Sequence, residues 1–189
     1  RKFPSLNSLM LSISQLYIMP TPFEQEIDMK VTIGKKAKKP LEIDMPIMIA
    51  AMAYGVALSK KAKVALAKGA TLAGTATCSG EGPVLKEERE AAKKYIYQYH
   101  RGTWGKTEQL LTDCDAIEIQ FGQGAIGGVG HVFNAKYVDR EMREAYGFAR
   151  GQNIVAHSRQ PEVNDPSQLP ALVEKLKRIS GGVPIGAKI

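Results

Sequence analysis

A glutamate, two glutamines and a lysine sit where short apolar runs give way to glycine. Glu81 lies in TATCSGEG, Thr75–Gly82; Gln120 and Gln123 lie in EIQFGQGAIGG, Glu118–Gly128; Lys188 lies in VPIGAKI, Val183–Ile189. A carboxylate beside glycine can move a proton or hold an amine. Amides read carbonyl groups, and a lysine at a strand end stabilises negative charge on a bound group. Upstream, the apolar run in Met45–Ser59 ends on Ala51, Met52 and Ala53, and Thr77 and Ser79 flank Cys78. Each has a plainer reading: core packing for 51–53, turn chemistry for a Ser-Gly pair, a carboxylate at a helix N-terminus for Glu81, satisfied loop amides, and a frayed terminal lysine. His131 and His157 read as ordinary loop histidines at the same mouth, and Cys78 as a small buried filler.

Positioning these groups requires strands that all end on one side, which is how parallel α/β folds present ligands. The apolar pattern predicts strands at Ile47–Ala51, Thr71–Thr77, Ala116–Phe121 and Pro184–Ile189. Helices are predicted at Ser59–Lys68, ended by Gly69; at Leu85–Tyr99; from a Thr107 cap to Leu111; at Val138–Tyr146; and at Pro166–Ile179, after an Asp165 cap. A glycine-rich loop is expected from Gly122 to Asn134, and a short strand pair from Met29–Ile33 with Leu41–Ile43. The alternation of strand and helix argues for an α/β fold with a parallel sheet or barrel.

The 189 residues suffice for one domain with a sizeable core. The longest apolar run is far too short to span a bilayer. With two cysteines and no CxxC spacing, neither a disulfide framework nor a metal site is expected, and a reduced cytoplasmic setting is. The net charge of +7 comes largely from Lys35–Lys39, Lys60, Lys61, Lys63, Lys93 and Lys94. No aromatic interleaving accompanies them, so they read as solvated faces rather than a nucleic-acid surface. The excess also suits an anionic substrate or an acidic electron-transfer partner.

Several co-linear segments resemble the FMN-binding domain of the glutamate synthase large subunit family. They are Thr32–Ser59, Ser79–Gly82, Arg101–Leu111 (RGTWGKTEQLL), Asp115–Gly128 and Val183–Ile189, and the resemblance covers nearly the whole chain. It implies a (β/α)8 TIM-type barrel, with residues 1–45 as a lead-in packing on it and 46–189 as about its first half, strands 1–4. It implies FMN at the carboxyl ends of the strands, touched by Ala51, Met52, Ala53, Thr77, Ser79, Gln123 and Lys188. Glu81 and Gln120 become the catalytic pair. An iron–sulfur cluster would lie nearby, its ligands outside this sequence.

The pattern departs where the family carries basic residues for a dicarboxylate. Gln120 and Ile126 stand at two lysine positions, and a third position, an arginine, falls near Tyr146. Arg143, Arg150 and Arg159 are candidates to compensate. The expected function is therefore an FMN-dependent oxidoreductase that reduces an imine-type or related amino or amide substrate with electrons from an iron–sulfur or ferredoxin-like donor. The alternative is a flavin electron-transfer or assembly subunit with a degenerate substrate pocket. Ending on an uncovered apolar strand, the chain is expected to need the rest of a barrel or a partner chain.

Overall fold

A computed structural model of the protein describes residues 5–8, 17–123 and 129–189. The lead-in forms the expected hairpin, β1 (Val31–Ile33) against β2 (Leu41–Ile43), antiparallel with Ile33 opposite Leu41. Leu41 and Ile43 are buried against Ala76 and Ala116. The extended run at 47–51 does not enter a ladder. It is tied alongside by the Ile49 N–H, which donates to Ala76 O at 3.0 Å, and by the Thr75 hydroxyl, which donates to Ile47 O.

Helix α1 (Lys60–Leu72) starts at Ser59, whose Oγ accepts from the Ala62 N–H at 3.3 Å. It does not stop at Gly69. Ala67 and Ala70 continue its buried stripe, and the chain turns instead at Gly74, where φ is 66°. The expected strand at 71–77 therefore shrinks to β3 (Thr77–Cys78), because packing overrides the strand preference of Thr71. The largest correction is in the predicted helix at 85–99. Only α2 (Lys86–Ala91) is helical, and Tyr95–Tyr99 is the central strand β4. The run Tyr-Ile-Tyr-Gln-Tyr alternates with period two, and its aromatic residues suit a pleated surface better than a helix.

Thr107 caps α3 (Glu108–Asp113), which leads into β5 (Ala116–Gln120). An unanticipated antiparallel hairpin follows, β6 (His131–Phe133) with β7 (Ile154–Ala156), bracketing α4 (Arg140–Tyr146) behind an Asp139 cap. Its first strand, β6, occupies the end of the expected loop; residues 124–128 of that loop, Ile126 included, lie outside the described residues. The Asp165 capping box opens a short 3-10 turn that runs into α5 (Leu169–Ser180), and β8 (Ile185–Lys188) completes the sheet.

The main sheet has four parallel strands in the order β3-β4-β5-β8, an α/β arrangement in which successive strands lie side by side. The described residues form an open sheet, not a closed barrel. Tyr97, Tyr99, Ile117 and Ile119 face α3 and α5 and bury Leu111, Leu172 and Leu176 with them. Period-two alternation puts Ile96, Gln98, Ala116, Glu118 and Gln120 on the opposite, inner face. Register aligns Cys78 with Ile96, Gly186 with Glu118, and Lys188 with Gln120 on that face. No helix among the described residues is long and apolar enough to cross a membrane.

Candidate functional site

The polar end of the inner face is built around Glu81. Gly80, at φ 70°, turns the chain immediately after β3, and a Cβ there would lie 2.5 Å from the Met52 carbonyl carbon and 2.7 Å from the Ala53 nitrogen. The 80–82 turn therefore lies directly on the 52–54 backbone, which only glycine permits. Trp104 Nε1 donates to the Glu81 carbonyl at 2.9 Å and holds the turn from the other side.

The Glu81 carboxylate, 12% exposed, accepts a 3.0 Å hydrogen bond from Gln120 Nε2 on Oε2. Its Oε1 lies 3.7 Å from Arg101 Nη2 and 3.8 Å from His131 Nδ1. Gln120 and Arg101 are buried. Arg101 lies two residues past the end of β4, so it went unnoticed in the sequence because that strand did; the alternating tyrosines were the available signal. His131 joins the cluster from β6, whereas His157 is exposed and takes no part in it.

Beneath the cluster, Gln98 Nε2 donates to Glu118 Oε1 at 2.6 Å. Ser79 is fully buried, with its hydroxyl engaged: Oγ accepts from the Gln98 N–H at 2.8 Å and donates to Gly80 O at 3.0 Å. Register puts Thr77 beside Tyr95, which packs with Ala67 and Ala92 of the helical layer. The Thr77 side chain thus shares the helix-facing side, and Cys78 takes the inner one. Burial pushes the Cys78 thiol up to about 12, so it is no nucleophile at neutral pH. Ala51, Met52 and Gln123 are half-buried and Ala53 is buried.

Lys63 is the second residue that sequence reasoning misplaced. Grouped with solvated lysines, it is in fact 3% exposed. Its Nζ donates to Met52 O at 2.9 Å, Cys78 O at 3.1 Å and Ser79 O at 2.9 Å, and lies 2.9 Å from Glu88 Oε1. One ammonium thus joins the 47–53 segment to the end of β3. Burial pushes the Glu88 carboxyl up, with the Lys63 ammonium opposing the shift. Nothing in the helical periodicity marks Lys63, since a buried lysine needs partners from three other segments. Gln160 acts similarly on the neighbouring strands: its Nε2 donates to Tyr99 O at 2.9 Å, and lies 3.3 Å from His100 O and 3.4 Å from Gln120 O.

Among the arginines considered for the missing basic positions, Arg150 and Arg159 are exposed, and Arg143 Nη1 reaches Val138 O at 3.5 Å. Tyr146 is buried against Trp104, with its hydroxyl donating to Tyr54 O at 3.0 Å.

A carboxylate–amide–guanidinium cluster thus lies at the carboxyl ends of the parallel strands, the place where α/β folds position ligands. The chain belongs to the glutamate synthase family: residues 7–189 match the conserved region in glutamate synthase. It is 32% identical over 182 residues to a glutamate synthase large subunit-like protein of Rhizobium meliloti, covering 95% of this chain and 41% of that protein. It is 34% identical over 163 residues to an archaeal glutamate synthase [NADPH] of Methanocaldococcus jannaschii, covering 82% of this chain and 31% of that protein. The chain thus spans less than half the length of these relatives. Among solved structures, a lactate oxidase of Pediococcus acidilactici is 13% identical with a TM-score of 0.47, covering 87% of this chain and 45% of that one.

Proposed function

We propose that this chain is part of an FMN-dependent oxidoreductase, related to glutamate synthase, that reduces an imine-type or related amino or amide substrate. The observation that carries the reading is the Glu81–Gln120 pair, held at 3.0 Å at the carboxyl ends of the strands in a chain of this family. The position of Lys188 supports it. Lys188 lies level with Gln120 on the inner face, and a Cβ added at Gly186 would meet nothing within 4 Å. Orphaned polar atoms support it too, for Glu81 Oε1 and Gln120 Oε1 are buried without a hydrogen-bond partner among the described residues.

Bound FMN supplies a two-electron, hydride-type reduction. The chain's own residues do the rest. The backbone of Ala51–Ala53 lines the ring, and Lys188 brings positive charge to its edge. Gln123 reads a carbonyl. Of the other expected contacts, Ser79 acts through its backbone and Thr77 through its place in β3, because their side chains are turned to the protein. Gln120 orients the Glu81 carboxylate, and Glu81 Oε1 accepts the substrate N–H or hands it a proton. By the family resemblance, the flavin phosphate site and the ligands of any iron–sulfur cluster lie outside these 189 residues.

The test is a visible absorption spectrum and intact mass of the natively purified full-length protein, alongside Glu81→Gln. Flavin bands retained in the variant, with imine reduction down by about 10²–10⁴-fold, are expected for an acid–base role. Absence of flavin from the intact chain overturns the reading. Flavin with no turnover of any imine, amine or amide would leave the electron-transfer or assembly role in its place.

A further inference from the structure

Arg101 is fully buried, yet only one side of its guanidinium is hydrogen-bonded. Nη1 points to two carbonyls, Val129 O at 3.3 Å and Ser158 O at 3.4 Å, which fix the head. Nε and Nη2 have no hydrogen-bond partner among the described residues. Those two nitrogens share one edge of the planar fork, and that edge matches the two oxygens of a carboxylate. Glu81 Oε1 stands 3.7 Å from Nη2, beyond hydrogen-bond reach, and its Oε2 is already committed to Gln120. A buried guanidinium edge that makes no hydrogen bond, with Glu81 near it only at ion-pair distance, is costly and suits an anion that can bond it directly. His131 and Lys188 are the other basic groups near the cluster, and Glu81 is its acid.

We propose that Arg101 is the carboxylate-binding residue of this site, taking a small ligand's carboxylate on its Nε–Nη2 edge. Glu81 Oε1 and Gln120 Oε1, the unpartnered acceptors next to it, receive an N–H of the same ligand. The inference rests on the reading of Glu81 and Gln120 as substrate-facing. It narrows the substrate class to compounds in which one carboxylate lies close to an amine, imine or amide nitrogen. Arg101 comes from the loop after β4 and stands at none of the positions where the basic residues of the resemblance are missing.

The probe is acetate, compared with acetamide, a neutral molecule of the same shape. Saturation-transfer NMR on the full-length protein at pH 7 and fixed ionic strength reads binding without requiring flavin. Acetate binding that acetamide does not match, and that falls about tenfold or more in Arg101→Gln, is expected. Arg101→Lys restores the charge but not the fork and should recover only part of it. Melting curves of both variants check folding. If Arg101→Gln fails to fold, Glu81→Gln decides: acetate binding already present in the wild-type protein and stronger in this variant supports the proposal. Acetate binding that appears only in Glu81→Gln means that Glu81 fills the edge itself, and overturns it. So does equal binding in wild type and Arg101→Gln. Acetate bound through Arg101 in a protein without flavin would sink the oxidoreductase reading and leave this one standing.

Discussion

Replacing Lys63 with methionine is the sharpest test of how the site is held together. Methionine nearly matches the lysine stem in volume, so packing is largely kept while the charge disappears. The Lys63 ammonium lies within 3.1 Å of three backbone carbonyls and of Glu88, and both side chains are almost wholly buried. Removing one partner of a buried ion pair costs about 3–5 kcal/mol, because the other charge is stranded. The deserted carbonyls of Met52, Cys78 and Ser79 add on the order of 1–3 kcal/mol together. Lys63→Met should therefore lose about 4–8 kcal/mol, much of the stability of an ordinary domain. The double variant Lys63→Met/Glu88→Leu removes the stranded carboxylate and should recover the ion-pair part. It should remain about 1–3 kcal/mol below wild type, because the carbonyls stay unpaired. Urea unfolding of the full-length protein measures all three.

A pH series separates the two contributions. With Lys63 gone, burial outweighs the one remaining opposing contact, a hydrogen bond with Tyr95, and holds the folded-state Glu88 carboxyl above the unfolded value of 4.5. The native state then binds the extra proton, so the stability of Lys63→Met falls as pH rises above 4.5, and the variant recovers towards wild type on acidification from neutral pH. A loss below about 1 kcal/mol, or a double variant as stable as wild type, would refute the idea that this ammonium stitches the two segments.

Gly80→Ala meets both a left-handed backbone and the Met52–Ala53 peptide at 2.5–2.7 Å, so it should destabilise by about 3 kcal/mol or more in thermal unfolding; a loss under 1 kcal/mol would mean that the turn relaxes freely. His100, buried and stacked on Trp104 at 4.9 Å, has its imidazole pushed down to about 3 by burial. Its unfolded value is 6.5, so the unfolded state binds the extra proton between these limits. The stability from neutral His100 is complete above 6.5 and lost as pH falls towards 3, by up to about 1.4 kcal/mol per pH unit. His100→Gln should flatten that slope between pH 6.5 and 5, above the range where most carboxylates titrate; an unchanged slope refutes the assignment.

Much of the scaffold is legible in the residues. Ser59, Thr107 and Asp165 each begin the structure they promise, because a cap is a local contract between a side chain and the next backbone amides. The β1–β2 pair, β5 and β8 follow from short apolar runs. Where local signals conflict, packing decides. Gly69 lies within a helix because Ala67 and Ala70 are buried on either side of it. Tyr95–Tyr99 is a strand because its three tyrosines fill the layer beneath the helices.

By itself the sequence determined the parallel α/β plan, the family to which its motifs point, and the Glu81–Gln120 pair at the strand ends. The plan is a matter of periodicity, whereas the family and the pairing rest on the resemblance its co-linear motifs carry. Only the tertiary structure brought Arg101 to Glu81 and hid Lys63 beneath three carbonyls, and only it turned Thr77 and the Ser79 hydroxyl away from the open face. The physical reason is that a buried charge is defined by partners distant along the chain. Side-chain direction in a short strand, likewise, is fixed by a register that no single segment carries.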